Sequence, residues 1–133
     1  MSIKFNSRYD AYAYRIGWYD VEPKTVVEEG KFVKLNEKGR IVLAGEGEIG
    51  FLAIGSNREG RNQVKGKAIN KIAFLHGAWS VWSDQVEGSV APMDPLKVGT
   101  DGKLKKAELP ADAGKVVAYA LQQNGGFTQI VSA

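Results

Sequence analysis

Short apolar runs recur along the chain, and glycines or charged residues separate them. This punctuation predicts strands joined by turns, at residues 25–27, 31–35, 40–43, 49–54, 71–75, 78–82, 96–98, 104–106, 116–121 and 127–131. In Lys31-Phe32-Val33-Lys34-Leu35 and Lys115-Val116-Val117-Ala118-Tyr119-Ala120-Leu121 the ends are charged or glycine-flanked. Valine and aromatic residues fill their interiors, as in a sheet with one buried face. The best helical window, 109–114, carries both Pro110 and Gly114, which allows one helical turn at most. Without long crossover helices the expected fold is mostly β. It is a small antiparallel β-barrel or sandwich of hairpins, with an extended N-terminal arm.

The pattern also repeats. Aligning 32–44 (FVKLNEKGRIVLA) with 95–107 (PLKVGTDGKLKKA), an offset of 95 − 32 = 63, matches Lys34 with Lys97, Gly39 with Gly102 and Ala44 with Ala107. Val33/Leu96, Leu35/Val98, Arg40/Lys103 and Ile41/Leu104 are conservative pairs. Each copy reads as a hairpin with glycine where the turn needs positive φ. A more apolar strand follows each one.

Two stretches fall outside this pattern and set the domain organisation: an arm at 1–24, and a barrel domain at 25–133 with a basic loop at 57–71. The arm holds Tyr9, Tyr12, Tyr14, Trp18 and Tyr19, interleaved with charges. The loop carries Arg58, Arg61, Lys65, Lys67 and Lys71 against Glu59 alone, a local excess larger than the +3 of the whole 133-residue chain.

Composition closes off several chemistries. There is no cysteine and one histidine, His76, so thiolate metal sites, iron–sulfur ligation and thiol catalysis are excluded, and a multi-histidine site with them. No apolar run is long enough to span a bilayer, and the first residues lack the apolar stretch of a signal peptide, so no membrane association is expected. Nucleophilic catalysis needs a nucleophile, a base and an orienting group. Here Ser80, Ser83, Asp84 and His76 supply no more than the ingredients most proteins contain. Glu46 and Glu48 sit in a glycine-rich turn, and a strand rather than a helix follows, which removes a phosphate-loop reading. Asp94, Asp101 and Asp112 lack calcium-loop spacing. The expectation is a non-enzyme without metal or cofactor.

Contact chemistry is better represented. A small barrel with a basic loop and aromatics suits single-stranded nucleic acid, but the net charge is small and no aromatic lies inside the loop, so nucleic acid is the alternative reading. Tyrosine and tryptophan are favoured at protein interfaces. The arm residues Tyr9, Tyr12, Tyr14, Trp18 and Tyr19 are therefore the expected anchors, with Arg58, Arg61, Lys65 and Lys67 meeting an acidic surface. Trp79 and Trp82, three apart on a strand, face opposite sides, so one is expected to point away from the core.

The run Glu29-Gly30-Lys31-Phe32-Val33-Lys34-Leu35, turn, Gly39-Arg40-Ile41-Val42-Leu43-Ala44, then Ile49-Gly50-Phe51-Leu52-Ala53, resembles the small β-rich capsid decoration (cement) proteins of tailed bacteriophages. So does Asp94-Pro95-Leu96-Lys97-Val98, followed by 100–107, 114–121 and 127–131. The resemblance spans about 25–133, with Met93 where a glycine is common in the family, and without counterparts for the arm or the basic loop. It implies a barrel on the outer capsid surface of a virion, made in the host cytoplasm. Such a protein binds the assembled shell and stabilises it by bridging neighbouring major capsid proteins, as a homo-oligomer and often a trimer.

Overall fold

The computed structural model describes residues 3–4, 11–57, 63–64, 67–68 and 70–133. Its strands are β1 (Ile3–Lys4), β2 (Ala11–Asp20), β3 (Phe32–Leu35), β4 (Ile41–Leu43), β5 (Phe51–Ile54), β6 (Gln63–Val64), β7 (Lys67–Ala68), β8 (Lys71–Ser83), β9 (Pro95–Val98), β10 (Leu104–Lys106), β11 (Ala118–Asn124) and β12 (Phe127–Ser132). All ladders between these strands are antiparallel, and the main sheet curls into a half-barrel. The mostly β, antiparallel fold expected from the sequence is thus the observed one. Helix is confined to 3-10 turns at Thr100–Gly102 and Ala113–Lys115, the second overlapping the window where one turn was expected.

The repeat extends well beyond the two hairpins. In the first, Val33 lies opposite Leu43, Lys34 opposite Val42 and Leu35 opposite Ile41. The second repeats this register as Leu96/Lys106, Lys97/Lys105 and Val98/Leu104. The bond from Ala44 N to Phe32 O (3.0 Å) recurs from Ala107 N to Pro95 O (2.8 Å). β5 adds to β3 through Phe32/Leu52 and Val33/Phe51, as β11 adds to β9 through Pro95/Tyr119 and Leu96/Ala118. β8 then pairs with β5 through Leu52/Leu75 and Ala53/Phe74, as β12 pairs with β11 through Tyr119/Val131 and Ala120/Ile130. Leu75 and Phe74 pair in turn with Arg15 and Ile16 of β2, while Val131 and Ile130 pair with Ser80 and Val81 of β8. Each half closes by a parallel bridge, Val21/Ile41 in the first and Val86/Leu104 in the second.

β2–β5 with the first part of β8, and the second part of β8 with β9–β12, are therefore two copies of one five-strand unit. β8 is shared between them: its first part is the last strand of one unit, and its second part is the first strand of the next. The sequence predicts two strands here, at 71–75 and 78–82, because His76-Gly77 reads as a turn. Gly77 does have positive φ (109°), yet β2 pairs continuously alongside from Ala11/Trp79 to Ile16/Phe74, which holds β8 as one strand. Residues 25–27 form no strand; Val27 is buried, and its amide donates to Asn57 Oδ1 at 2.7 Å.

The halves fill their cores differently. The first packs Val21, Val27, Val33, Ile41, Ala53, Ile72 and Phe74. Tyr19 and Phe51 stack on either side of Phe74, at centroid distances of 5.6 and 5.0 Å. The register gives these three the counterparts Ser83, Ala118 and Ile130, all smaller. That room is taken by the outward row of the first half, Phe32, Leu52 and Leu75, which joins the second core, with Phe32 tilted against Trp79 at 6.0 Å. Large residues in one unit and small ones in its copy keep both interiors densely packed.

Candidate functional site

Ala11–Asp20, ten of the predicted arm's 24 residues, is a strand of the sheet. Tyr12 and Tyr14 stand in β2 opposite Ala78 and His76. Trp18 is 56% exposed, whereas the adjacent Tyr19 is half-buried on Phe74. Ile3 and Val21 are buried. The two ends of the predicted arm are therefore anchored in the core. Tyr9, Arg58, Arg61 and Lys65 lie outside the described residues, and Lys67 stands in β7 opposite Val64.

Two asparagines, which the sequence reading did not single out, tie the basic stretch to the arm. At one root of the stretch, Asn57 Nδ2 donates to the Thr25 carbonyl (2.7 Å) and to Asn70 Oδ1 (2.9 Å). At the other root, the Asn70 carbonyl accepts the Val21 amide (2.9 Å), and Asn70 Nδ2 donates to the Val21 carbonyl (3.1 Å). These bonds seat the Asn70 root against Val21, two residues beyond Tyr19, and the Asn57 root against Thr25 and Val27, with the two roots joined to each other. Paired asparagines at the boundaries of a polar, glycine-rich segment are a readable signal for such a clamp.

A cleft of about 430 Å³ lies between the start of β5, the middle of β8, the start of β11 and the end of β12. Phe51, Leu52, Leu75, Trp79 and Val117 line it, with His76 among them. His76 is exposed and meets Phe51 edge-on at 5.8 Å. Ser83 is buried and its Oγ accepts the Gln85 amide at 2.9 Å, while Asp84 accepts from Gln85 Nε2. Trp79 is buried and Trp82 half-buried on the opposite face, the split that strand alternation predicts.

Three carboxylates, Glu46, Glu48 and Asp112, are held in the ionised form. Glu46 is bonded to Lys105 and Glu48 to Lys34, and these hydrogen bonds hold both carboxyls below the ordinary range. A general acid needs the opposite shift. Asp112 is pulled down to about 2, first by the Glu108 amide (2.8 Å) and then by Lys97 (2.9 Å). It anchors the turn at 108–115 to β9. Among the described residues no group of three metal-ligating side chains occurs, and no helix is long and apolar enough to cross a membrane.

No family model, curated protein or solved structure matches the chain.

Proposed function

We propose that the protein is a virion structural protein that binds the outside of an assembled phage capsid. It stabilises the shell by bridging neighbouring major capsid proteins. The observation that carries this reading is the asparagine clamp. It ties Asn70, one root of the basic 57–71 stretch, to Val21 just past the end of β2, and Trp18 on that strand is 56% exposed. An exposed indole near the end of β2, on a curled sheet whose sequence also carries a cation-rich stretch at 57–71, suits adhesion to an acidic protein face. The resemblance to capsid decoration proteins supports the same reading. Binding the assembled shell in preference to free subunits stabilises the shell by linkage, and many copies per shell add multivalency.

The test is co-sedimentation of the purified protein with assembled heads and, separately, with free major capsid protein. Binding to heads alone, weakened by Trp18→Ala, is expected. Equal binding to both, or to neither, overturns the reading. Tight salt-sensitive binding to a single-stranded oligonucleotide, with none to heads, would transfer the same surface to nucleic acid.

A further inference from the structure

Asparagine followed by glycine is a reactive pair. The glycine amide nitrogen, on losing its proton, attacks the asparagine side-chain carbonyl carbon, provided that the side chain is free to turn and no Cβ on the next residue blocks the approach. The chain contains this pair once, at Asn124-Gly125. Asn124 ends β11 and pairs with Phe127 of β12, so Gly125 and Gly126 form a two-residue turn, with φ of 58° and 82°. Asn124 and both glycines are exposed, and a Cβ on either glycine would meet nothing within 4 Å. Among the described residues, no hydrogen bond holds the Asn124 side chain or the Gly125 amide.

The other described asparagines are held. Asn36 Oδ1 accepts the amides of Lys38 and Arg40 at 2.9 and 3.0 Å, and its Nδ2 donates to Glu22 at 2.7 Å. Asn57 and Asn70 are bonded to each other and to the carbonyls of Thr25 and Val21. None of the three is followed by glycine, and Asn6 and Asn62 lie outside the described residues. Asp101-Gly102 is the acidic version of the pair, and it is closed. Gly102 is buried, and a Cβ there would lie 2.9 Å from the Phe32 carbonyl oxygen, so its nitrogen cannot swing toward Asp101 without lifting the hairpin tip from β3.

We propose that Asn124-Gly125 is a self-modification site, at which Asn124 converts to aspartate and isoaspartate in the folded protein. The Gly125 nitrogen forms a bond to Asn124 Cγ, the Cγ–Nδ2 bond breaks, and Nδ2 leaves as ammonia with the proton given up by the Gly125 amide. Water then opens the cyclic imide at one of its two carbonyl carbons. Opening at Cγ leaves aspartate on the original main chain, and opening at the main-chain carbonyl carbon leaves isoaspartate, whose main chain runs through Cβ and Cγ. Either product puts a carboxylate where a neutral amide stood, so the formal net charge falls by one from +3.

This chemistry needs no capsid, so the test uses the purified chain alone and is independent of the capsid reading. Folded protein is incubated at mildly alkaline pH, and its peptides are mapped by mass spectrometry beside those of a sample kept in urea. Expected are an acidic shift on ion exchange and an amide-to-acid mass gain in the peptide holding Asn124, which separates into aspartate and isoaspartate forms. Asn36, Asn57 and Asn70 should convert at least roughly tenfold more slowly while folded, because their hydrogen bonds must open first. Asp101 should isomerise in urea and stay as aspartate in the folded protein. Asn124→Gln keeps the amide but needs a larger ring that closes slowly, so it should retain the wild-type circular dichroism spectrum and lose most of the acidic shift. An Asn124 that stays amidated in the folded protein, the held asparagines or Asp101 converting as fast as Asn124, or an undiminished acidic shift in Asn124→Gln would overturn the proposal.

Discussion

Gly30 and Met93 hold the same backbone conformation at the same place in the two halves. Their φ angles are 95° and 71°, and their amides donate to the carbonyls of Ala53 and Ala120 at 3.0 and 2.7 Å. The turn before each first hairpin strand thus needs positive φ in both copies, and only one copy has the residue that adopts it freely. This explains why a glycine suits the position that Met93 occupies.

Met93 is 67% exposed, so replacing it loses little packing. A side chain held at positive φ costs about 1–2 kcal/mol, while glycine adds back about 0.4–1 kcal/mol of unfolded-chain entropy. Met93→Gly is expected to stabilise the protein by about 0.5–1 kcal/mol, seen as a rise of a few degrees in Tm. An unchanged or lower Tm would show that the turn is not strained.

Gly39 and Gly102 are the matched hairpin glycines, at φ 73° and 72°, but their surroundings differ. A Cβ on Gly39 meets nothing within 4 Å, whereas one on Gly102 would lie 2.9 Å from the Phe32 carbonyl oxygen. The second hairpin tip rests on β3 of the first half at Gly102, whereas the space around Gly39 in the first tip is open. Gly39→Ala should cost about 1 kcal/mol, from φ alone. Gly102→Ala should cost at least about twice that, because backbone must shift as well. Equal losses in urea titrations would mean that the tip of the second hairpin does not bear on β3.

Asp112 gives the acid limb of stability a specific origin. Its carboxyl titrates near 2 in the folded protein against an ordinary 3.8, because the Glu108 amide and Lys97 favour the charged form. A depressed folded pKa stabilises the fold above the unfolded pKa, and that contribution disappears as pH falls through the folded one. Wild type should lose stability between about pH 4 and about pH 2 more steeply than Asp112→Asn. The variant should be the less stable of the two at neutral pH. Parallel pH profiles for the two proteins would assign the acid limb elsewhere.

The hairpins were legible because glycine and two-residue alternation encode them locally, and their matched register explains why 32–44 and 95–107 align. The other matched strands were hidden. Ala13-Tyr14-Arg15-Ile16 of β2 corresponds to Ala78-Trp79-Ser80-Val81 of β8, yet a register shift between Ile16 and Tyr19 breaks the alignment at once. Charges interleaved among its aromatics give β2 the look of an arm, and only long-range pairing with β8 makes it a strand. Residues 25–27 show the converse: two valines invite a strand, but the Val27 amide is taken by the Asn57 side chain. Of the candidate contact residues, Trp18 carries the aromatic character the sequence suggested on an exposed site, and Tyr19 is committed to packing.

Trp18 and Tyr19 therefore separate adhesion from folding at adjacent positions. Tyr19 stacks on Phe74 in the core of the first half, so Tyr19→Ala is expected to destabilise by about 1–3 kcal/mol. Trp18 is mostly exposed, and Trp18→Ala should change stability by less than about 1 kcal/mol while weakening head binding at least tenfold. Deleting residues 1–24 is a poorer experiment, because it removes the buried Ile3 and Val21 together with the strand that pairs along β8. Lost binding in that deletion would report lost structure. The point substitutions keep the sheet, so wild-type head binding by a stable Trp18→Ala protein would exclude this edge of β2 from the contact.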